Sequence, residues 1–465
     1  MSLTEAPLHY IKNNFSKFCS DLMEHAKIPS IAFPGFPQGP LEISAQWVKA
    51  HMQKIGLENV EILRVGDAPP YVYGEWLHSP DAPTVLLYAH HDVQPPGRDS
   101  EWLSPPFSPE LRDGRLYGRG VVDDKAGGIM HFAAIEAYLK TLGKLPLNIK
   151  FIVEGEEETG SAHLSEFLDK YSEYLRCDVM VLTDTANLQI GLPSITYRLR
   201  GIIDAILEVR TLDHPVHSGM WGGPVPDALM ALNQILYSLH DENGYLAIPE
   251  IISNVPQISD KERGQLKKLP FDSEVFRQEL GAVSNIQWIG KKDSSIYERL
   301  WCQPSLTVIG VDAPSIQGAS NQLVDCVRAK ISLRIVSGMD PSFCLEKLCQ
   351  FLERQTPFNC DVKVTPGACG SPWKVLPDGP AFEAAKKALT KGYDKEPVYI
   401  GCGGSIPFVE PLVNKFEKVP ALLIGLEDPY CNAHGENESL HLGDWKKGMI
   451  SAVHLYHELS QISIA

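Results

Sequence analysis

The sequence lacks an excess of positive charge, a long apolar run and any closely spaced pair of cysteines. Its net charge is −16, so the basic surface that nucleic acids require is missing and no nucleic-acid partner is expected. No stretch approaches the ~20 uncharged apolar residues that cross a bilayer, and no membrane association is expected. The ten cysteines include no Cys-x-x-Cys pair, which argues against a zinc finger or a disulfide framework. Scattered cysteines are typical of reduced thiols, and we expect a cytoplasmic protein.

Short apolar runs alternate with helical patterns over much of the chain. Residues 84–88, 149–153, 179–182 and 421–424 are apolar runs of strand length, and residues 129–142 between two of them have a helical pattern. Buried strands separated by helices indicate an α/β fold in which helices cover both faces of a central mixed sheet.

The middle of the chain follows a different order of elements. The patterns there predict strand, helix, strand, strand, helix and strand at 202–210, 226–239, 305–310, 329–336, 342–354 and 362–364. This is the split βαβ order of a ferredoxin-like α+β domain. Because 465 residues exceed what one core usually supports, we predict a first domain made of residues 1–200 and 378–465, with residues 201–377 inserted in it.

Histidines and carboxylates follow each apolar strand of the first domain. His90 follows the first run, Glu157 and Glu158 follow the second, Asp184 follows the third and His434 lies beyond the fourth. Ligands of open α/β sheets bind at the carboxyl ends of the strands, and these are the donor types that zinc and related ions use. The sequence therefore predicts a metal site at this edge of the sheet.

Two motifs leave alternatives open. Asp123 lies in GRGVVDDK, a glycine-rich turn before a helix, where it could bridge two metal ions, or the turn could simply lead to a helix cap at Asp124. The acidic run at 156–158 could be a solvated surface turn. It also allows one carboxylate to bind metal while its neighbour takes a proton from water. The combination of these residues indicates a metal site far more specifically than any one of them does alone.

Five motifs carry a family resemblance. YAHHDVQP, GRGVVDDK, EGEEETGS, LTDT and CNAHGENE resemble, in order and spacing, the motifs of the dinuclear-zinc exopeptidases. This superfamily includes carnosinase, cytosolic non-specific dipeptidase, glutamate carboxypeptidase, aminoacylase and succinyl-diaminopimelate desuccinylase. The resemblance spans about residues 85–440, and SITYRLRG, HSGMWGG and GGSIP are most similar to the carnosinase and non-specific dipeptidase branch.

The resemblance implies two zinc ions per subunit, with manganese compatible with so many carboxylates. His90 and Asp184 would hold one ion, Glu158 and His434 the other, and Asp123 would bridge both. In the family the peptide bond after this bridging aspartate is often cis, and we expect the same in this chain.

The resemblance also implies the catalytic and lid residues. Glu157 would be the general base, and Asp92 would orient His90 through its second ring nitrogen. The inserted domain would be a lid and the surface of a homodimer. There His217 would reach the neighbouring subunit's site, Arg334 would hold the substrate carboxylate, and Asn321 would line the same pocket. Alternatively, His217 stabilises a turn and Arg334 is an ordinary strand residue.

Gly404 and Ser405 match the loop that lines the substrate in the family, but the residues before this loop depart from the pattern. Gly401 and Cys402 replace the usual Arg-Glu, and Ala126 replaces a glycine. The expected activity is hydrolysis of an amide bond in a dipeptide or another short substrate with a free carboxylate. An N-acyl amino acid deacylase is the alternative enzyme, and a metal-bound scaffold without turnover is the alternative outside enzymes.

Overall fold

The structure is a computed structural model that describes residues 3–404, 406–416 and 419–463. The chain divides into two compact units, the first made of residues 1–197, 375–400 and 406–465 and the second of residues 198–374 and 401–405. The domain boundaries expected from the sequence stay a prediction, and each unit is described by its own bounds.

The elements of the first unit alternate between helices and strands. Its helices are α1 (Glu5–Ala26), α2 (Gly39–Ile55), α3 (Lys125–Leu142), α4 (Leu164–Leu175), α12 (Pro380–Tyr393), α13 (Val409–Lys415) and α14 (Leu442–Leu459). Its strands are β1 (Glu58–Leu63), β2 (Tyr71–Trp76), β3 (Thr84–His90), β4 (Glu110–Arg112), β5 (Arg115–Tyr117), β6 (Asn148–Glu154), β7 (Val179–Leu182), β8 (Ser194–Leu199), β16 (Val398–Cys402), β17 (Ala421–Ile424) and β18 (Ser439–His441). Strands β8 and β16 each extend a few residues past the division between the units.

In the nine-stranded central sheet the first seven strands have the order β1-β2-β6-β3-β7-β17-β8, and β8 also pairs with β16 and with β15 (Trp373–Lys374). Strand β3 is parallel to both β6 and β7, and β17 is parallel to β7, whereas β1 and β2 are antiparallel at one edge. Four of these strands are the apolar runs of the sequence, and all four residues of β7 and β17 are buried. The prediction of an α/β fold with a mixed sheet is confirmed.

Helices α1, α3 and α14 pack against one another in the first unit. Trp445 of α14 is fully buried, meets the edge of Phe15 of α1, and donates its indole N–H to the carbonyl of Ala126 of α3 at 3.1 Å. Tyr138 of α3 donates its hydroxyl to the carbonyl of Val453 at 2.8 Å. Ala126, where the family usually has glycine, thus lies in a packed interface and leaves the helix intact.

The second unit is an antiparallel sheet with helices on one face. Its strands are β9 (Gly201–Arg210), β10 (Val216–His217), β11 (Ser305–Asp312), β12 (Gln322–Leu323), β13 (Cys326–Ile335), β14 (Asp361–Gly370) and β15 (Trp373–Lys374). Its helices are α5 (Ser218–Trp221), α6 (Ala228–Ser238), α7 (Pro249–Ile252), α8 (Asp260–Lys268), α9 (Ser273–Glu279), α10 (Ile296–Cys302) and α11 (Pro341–Arg354). The main sheet has the order β11-β13-β9-β14, and its hydrophobic core includes residues of α6 and α11. The predicted split βαβ arrangement is confirmed, and helices α7 to α10 are an insertion that the sequence patterns did not predict.

No helix in the described ranges combines the length and hydropathy that a membrane span needs. All ten cysteines lie in those ranges and none is paired with another. The expected cytoplasmic location stays a prediction.

Candidate metal centre

The carboxyl edge of the parallel strands gathers the residues predicted to bind metal. His90 is the last residue of β3, and Glu157 and Glu158 lie in a single 3-10 turn after β6. Asp184 follows β7, and His434 lies in the loop after β17, where its φ of 63° is in the left-handed region. Because these strands run in the same direction, their ends bring residues far apart in the sequence to one edge.

Three sets of side chains each place donor atoms within 4.8 Å of one another: His90, Glu157 and Asp184; Asp123, Glu158 and His434; and Asp123, Asp184 and Glu427. We call these residues together the metal cluster. Asp123 and Asp184 each belong to two of the sets. Imidazole nitrogen and carboxylate oxygen are donors that zinc and manganese accept.

Asp123 lies between the two histidines of the metal cluster. One carboxylate oxygen accepts a hydrogen bond from His90 Nε2 at 3.0 Å, and the other accepts one from His434 Nε2 at 2.9 Å. Burial raises the pKa of Asp123, but these two hydrogen bonds outweigh it and bring the pKa below its ordinary value. The peptide bond between Asp123 and Asp124 is cis, which confirms that expectation.

The other carboxylates of the metal cluster experience strong mutual repulsion. Burial, together with the charge of Asp123, raises the pKa of Glu158 and that of Glu427 to about 8 each. Burial and neighbouring carboxylates also raise the pKa of Glu157 and of Asp184 well above the usual range. So many buried negative charges are costly without a nearby cation. The donor set therefore fits divalent metal ions.

Asp92 orients both His90 and the turn that carries the glutamates. His90 Nδ1 lies 3.1 Å from the backbone carbonyl oxygen of Asp92 and 3.5 Å from its carboxylate. The Asp92 carboxylate accepts the backbone N–H groups of Glu157 at 3.2 Å and Glu158 at 3.0 Å. Its main contact to His90 is thus through the backbone, while its side chain fixes the acidic turn.

The remaining glutamate of the acidic run is buried and structural. Glu156 is 2% exposed and accepts the Tyr71 hydroxyl at 2.7 Å and the backbone N–H of His163 at 3.1 Å. The interpretation of this run as a solvated surface turn is therefore wrong.

A buried ion pair joins the two loops that carry Asp123 and His434. Arg119 donates to the Glu438 carboxylate at 2.7 Å, although the two residues are 319 positions apart, and both are buried. The same guanidinium donates to the carbonyls of His434 at 3.2 Å and Gly435 at 3.0 Å. The Glu438 carboxylate also accepts the backbone N–H groups of residues 120, 122 and 123 at 2.9, 3.0 and 3.3 Å.

The predicted lid residues lie in the second unit. His217 of β10 is opposite Gln322 of β12, and Ser218 donates its backbone N–H to the carbonyl of Asn321 at 2.9 Å, so His217 and Asn321 are neighbours. His217 precedes the short helix α5 but makes no side-chain cap to it.

Arg334 and the predicted substrate loop also belong to the second unit. Arg334 lies on β13, partly buried, and burial lowers its pKa. The Gly404 N–H donates to Cys402 Sγ at 3.3 Å. Ser405 lies outside the described residues.

The structure accounts for Gly401, where the family usually has arginine. A Cβ at this position would lie 2.5 Å from Trp301 Cγ and 2.9 Å from Arg198 Cγ. Arg198 in turn contacts Cys302 and Glu262 through its guanidinium, and Lys374 also reaches Glu262, at 2.9 Å. A side chain at position 401 would displace this buried network.

The comparisons with known proteins agree with this geometry. Residues 86–458 match the family model described as Peptidase family M20/M25/M40. The chain belongs to this peptidase family.

A cysteinylglycine-S-conjugate dipeptidase from Corynebacterium striatum is 33% identical over 401 residues, 86% of each chain. The Cys-Gly metallodipeptidase DUG1 of Saccharomyces cerevisiae is 28% identical over 93% of each chain. The crystal structure of human carnosine dipeptidase 1 superposes with a TM-score of 0.89 at 28% identity, covering 99% of this chain and 100% of that one.

Three residues of this M20-family site were missed by sequence reasoning. Glu427 follows β17 at the same edge of the sheet as the other donors, and its position after an apolar strand was a usable signal. Arg119 and Glu438 lie inside two of the quoted motifs, but their pairing is a tertiary contact. Nothing in the sequence linked the two motifs.

Removing Arg119 should destabilise the metal-free protein strongly, because it leaves the Glu438 carboxylate buried without its partner. We expect Arg119→Met to lower the free energy of unfolding by about 3–5 kcal/mol and the double variant Arg119→Met/Glu438→Met to recover part of it, as measured by urea denaturation. The solvent-exposed ion pair Arg98–Glu436 is the control, since Arg98→Met should have little effect on the free energy of unfolding. If Arg119→Met and Arg98→Met lowered the free energy of unfolding equally, the stabilising role of the buried ion pair would be contradicted.

Proposed function

We propose that the chain is a metal-dependent dipeptidase that cleaves the amide bond of short substrates with a free carboxylate. The observation that carries the proposal is a pair of metal-donor sets that share Asp123: one also contains Glu158 and His434, the other Asp184 and Glu427. Beside them lies Glu157, in a turn that Asp92 holds in place. Membership of peptidase family M20/M25/M40 and the dipeptidase names of its relatives support the same activity.

The metals are proposed to be two zinc ions, with manganese as the alternative. His90 and Asp184 would hold one ion, Glu158 and His434 the other, and Asp123 would contribute to both. Glu427 is a further oxygen donor within reach of Asp123 and Asp184. When bound, such ions polarise a substrate carbonyl and lower the pKa of a water molecule.

Glu157 is proposed to move the proton. Its donor atom is close to those of His90 and Asp184, while the Asp92 carboxylate holds its backbone N–H. A carboxylate fixed in this way can take a proton from the attacking water and deliver it to the leaving nitrogen. In the homodimer proposed below, His217 of the second copy would oppose the charge that develops on the carbonyl oxygen.

The substrate carboxylate is proposed to bind Arg334 and the loop of Gly404 and Ser405. A guanidinium offers the bidentate geometry that a carboxylate prefers. The thiol of Cys402 lies next to this loop, and it is close enough to Arg200 and Arg334 to influence the pKa of both guanidinium groups. A thiol binds a free α-ammonium group more weakly than a carboxylate does. This observation supports the N-acyl amino acid deacylase as the second candidate.

A hydrolysis screen separates the two candidates. The purified protein with added zinc or manganese is incubated with pooled dipeptides and with N-acetyl and N-succinyl amino acids, and products are measured by mass spectrometry. We expect dipeptides to be cleaved and acyl amino acids to be cleaved little, if at all. Preferential deacylation would move the chain to the second candidate, and no hydrolysis of either class with metal bound would contradict both.

Glu157→Gln should abolish turnover without loss of metal, because the variant keeps the shape of the side chain but not its proton-accepting oxygen. We expect kcat to fall by at least about 100-fold, with the metal content measured by mass spectrometry of the desalted protein. Glu166→Gln, at a carboxylate of α4 outside the metal cluster, is the matched control and should retain activity. Substantial turnover in Glu157→Gln would refute its role.

The homodimer is proposed to form through the second unit. Strand β11 is an edge of its sheet, and Val308, Ile309 and Val311 are 36%, 55% and 50% exposed. Met220 and Trp221, next to His217, are 73% and 55% exposed. An open edge with exposed apolar side chains is suited to pairing with a second copy.

Ile309→Lys should give a monomer, since it places a charge in the proposed apolar interface. We expect light scattering to show a dimer for the unmodified chain and a monomer for the variant, with activity lower by about tenfold or more because His217 of the partner is lost. Ile43→Lys replaces an isoleucine of α2 that is 59% exposed and should change neither property. A fully active monomer would exclude the cross-subunit role of His217.

A further inference from the structure

A half-open cavity of about 300 Å³ lies wholly within the second unit. The helical insertion between α6 and β11 builds most of it. Its apolar wall includes Phe276, Leu280, Trp288, Leu246 and Leu306, and the Phe276 and Trp288 rings meet edge to face with centroids 5.1 Å apart. Concave apolar sites of this size hold one amino-acid side chain or a small organic group.

Several polar side chains of the cavity wall are engaged in hydrogen bonds with nearby groups. The Tyr245 hydroxyl donates to the Gln303 side-chain oxygen at 2.7 Å. Arg299 donates to the backbone carbonyls of Ser294, Ile289 and Lys292 at 3.1 to 3.2 Å. These contacts shape the wall and leave its inner surface mainly apolar.

The charged side chains that line the cavity are all basic. Arg200, Lys291 and Arg299 contribute to the wall, and none of the described residues that line it is an aspartate or glutamate. An entering cationic group would meet these positive charges, and none of the described lining residues carries a carboxylate that would offset them. The cavity therefore favours an uncharged apolar group over a cationic one.

The cavity adjoins the side chain proposed to hold the substrate carboxylate. Ser305 lines the cavity and is the direct cross-strand partner of Arg334, so their side chains lie on the same face of the sheet. Arg200 donates to the Ser305 hydroxyl at 2.8 Å and to the Gly403 carbonyl at 3.2 Å. Burial and the charge of Arg334 lower the pKa of Arg200 to about 10, which agrees with two guanidinium groups close to each other.

We propose that this cavity receives the side chain of the substrate residue whose carboxylate binds Arg334, and that it selects bulky apolar or aromatic residues and rejects cationic ones. The inference rests on the proposed function, because it takes Arg334 as the carboxylate site. The substrate class is then short peptides that end in residues such as phenylalanine or leucine.

The test compares kcat/KM for Ala-Phe, Ala-Lys and Ala-Gly, with manganese or zinc supplied to the 465-residue chain. Ala-Gly has no C-terminal side chain and reports on the catalytic machinery alone. We expect the unmodified chain to favour Ala-Phe over Ala-Lys by at least about tenfold. Leu280→Glu, at an exposed position that lines the cavity, should narrow this ratio by about fivefold.

Val283→Glu is the matched control, because Val283 is also exposed but does not line the cavity. It should leave the ratio of Ala-Phe to Ala-Lys unchanged. Equal ratios in Leu280→Glu and Val283→Glu, or an unmodified chain without preference for Ala-Phe, would overturn the proposal.

A binding measurement separates a failure of this inference from a failure of the proposed function. Titration calorimetry with L-phenylalanine and L-lysine, the corresponding products, reports on the cavity without turnover. If no peptide is cleaved but phenylalanine binds more tightly than lysine and Leu280→Glu alone narrows the difference, the cavity has the stated preference and only the activity is wrong. If the two amino acids bind alike, or Leu280→Glu and Val283→Glu behave alike, the inference is wrong.

Discussion

The candidate site depends on the buried ion pair between Arg119 and Glu438. Arg119 lies in the loop that carries Asp123, and Glu438 lies in the loop that carries His434. Neither loop is part of a helix or of a strand of the central sheet. The pair satisfies backbone donors of the first loop and backbone carbonyls of the second at the same time. A buried ion pair is costly unless its remaining hydrogen bonds are made. In this structure the hydrogen bonds that satisfy the pair also fix the positions of two proposed metal ligands.

Unlike the Arg119–Glu438 ion pair, in which opposite charges attract, the metal cluster brings several carboxylates of the same charge close together. Burial and repulsion raise the pKa of four carboxylates, whereas Asp123 is held ionised by two histidines. Metal-free protein must therefore bind protons at this edge or lose stability, and divalent ions would replace those protons. The acidic turn is kept in place by Asp92 through backbone N–H groups, so its geometry does not require bound metal.

In the second unit, Gly401 and Cys402 depart from the pattern that the family resemblance leads us to expect. Gly401 and Cys402 stand where the related branch has a charged pair, and the space at position 401 is taken by Trp301 and Arg198. Arg198 makes contacts with Glu262 and Cys302, both from the helical insertion. The insertion and the loop of Gly401 and Cys402 are thus connected by direct contacts, and the same insertion builds most of the cavity with the basic and apolar wall.

The sequence by itself determined the fold class and pointed to every residue of the metal cluster except Glu427. Buried parallel strands are nearly all apolar, so β3, β6, β7 and β17 were visible as short runs, and the polar residues at their ends were visible for the same reason. The sequence did not predict the helices α7 to α10. These helices are too short to show a clear hydrophobic periodicity, and the segment is held by aromatic contacts such as that of Phe276 with Trp288. The pairing of Arg119 with Glu438, the approach of Glu427 to Asp123, and the split role of Asp92 were decided only by tertiary structure. Each is a contact between distant segments whose distance is set by how the loops fold over the sheet, and no local pattern encodes that distance.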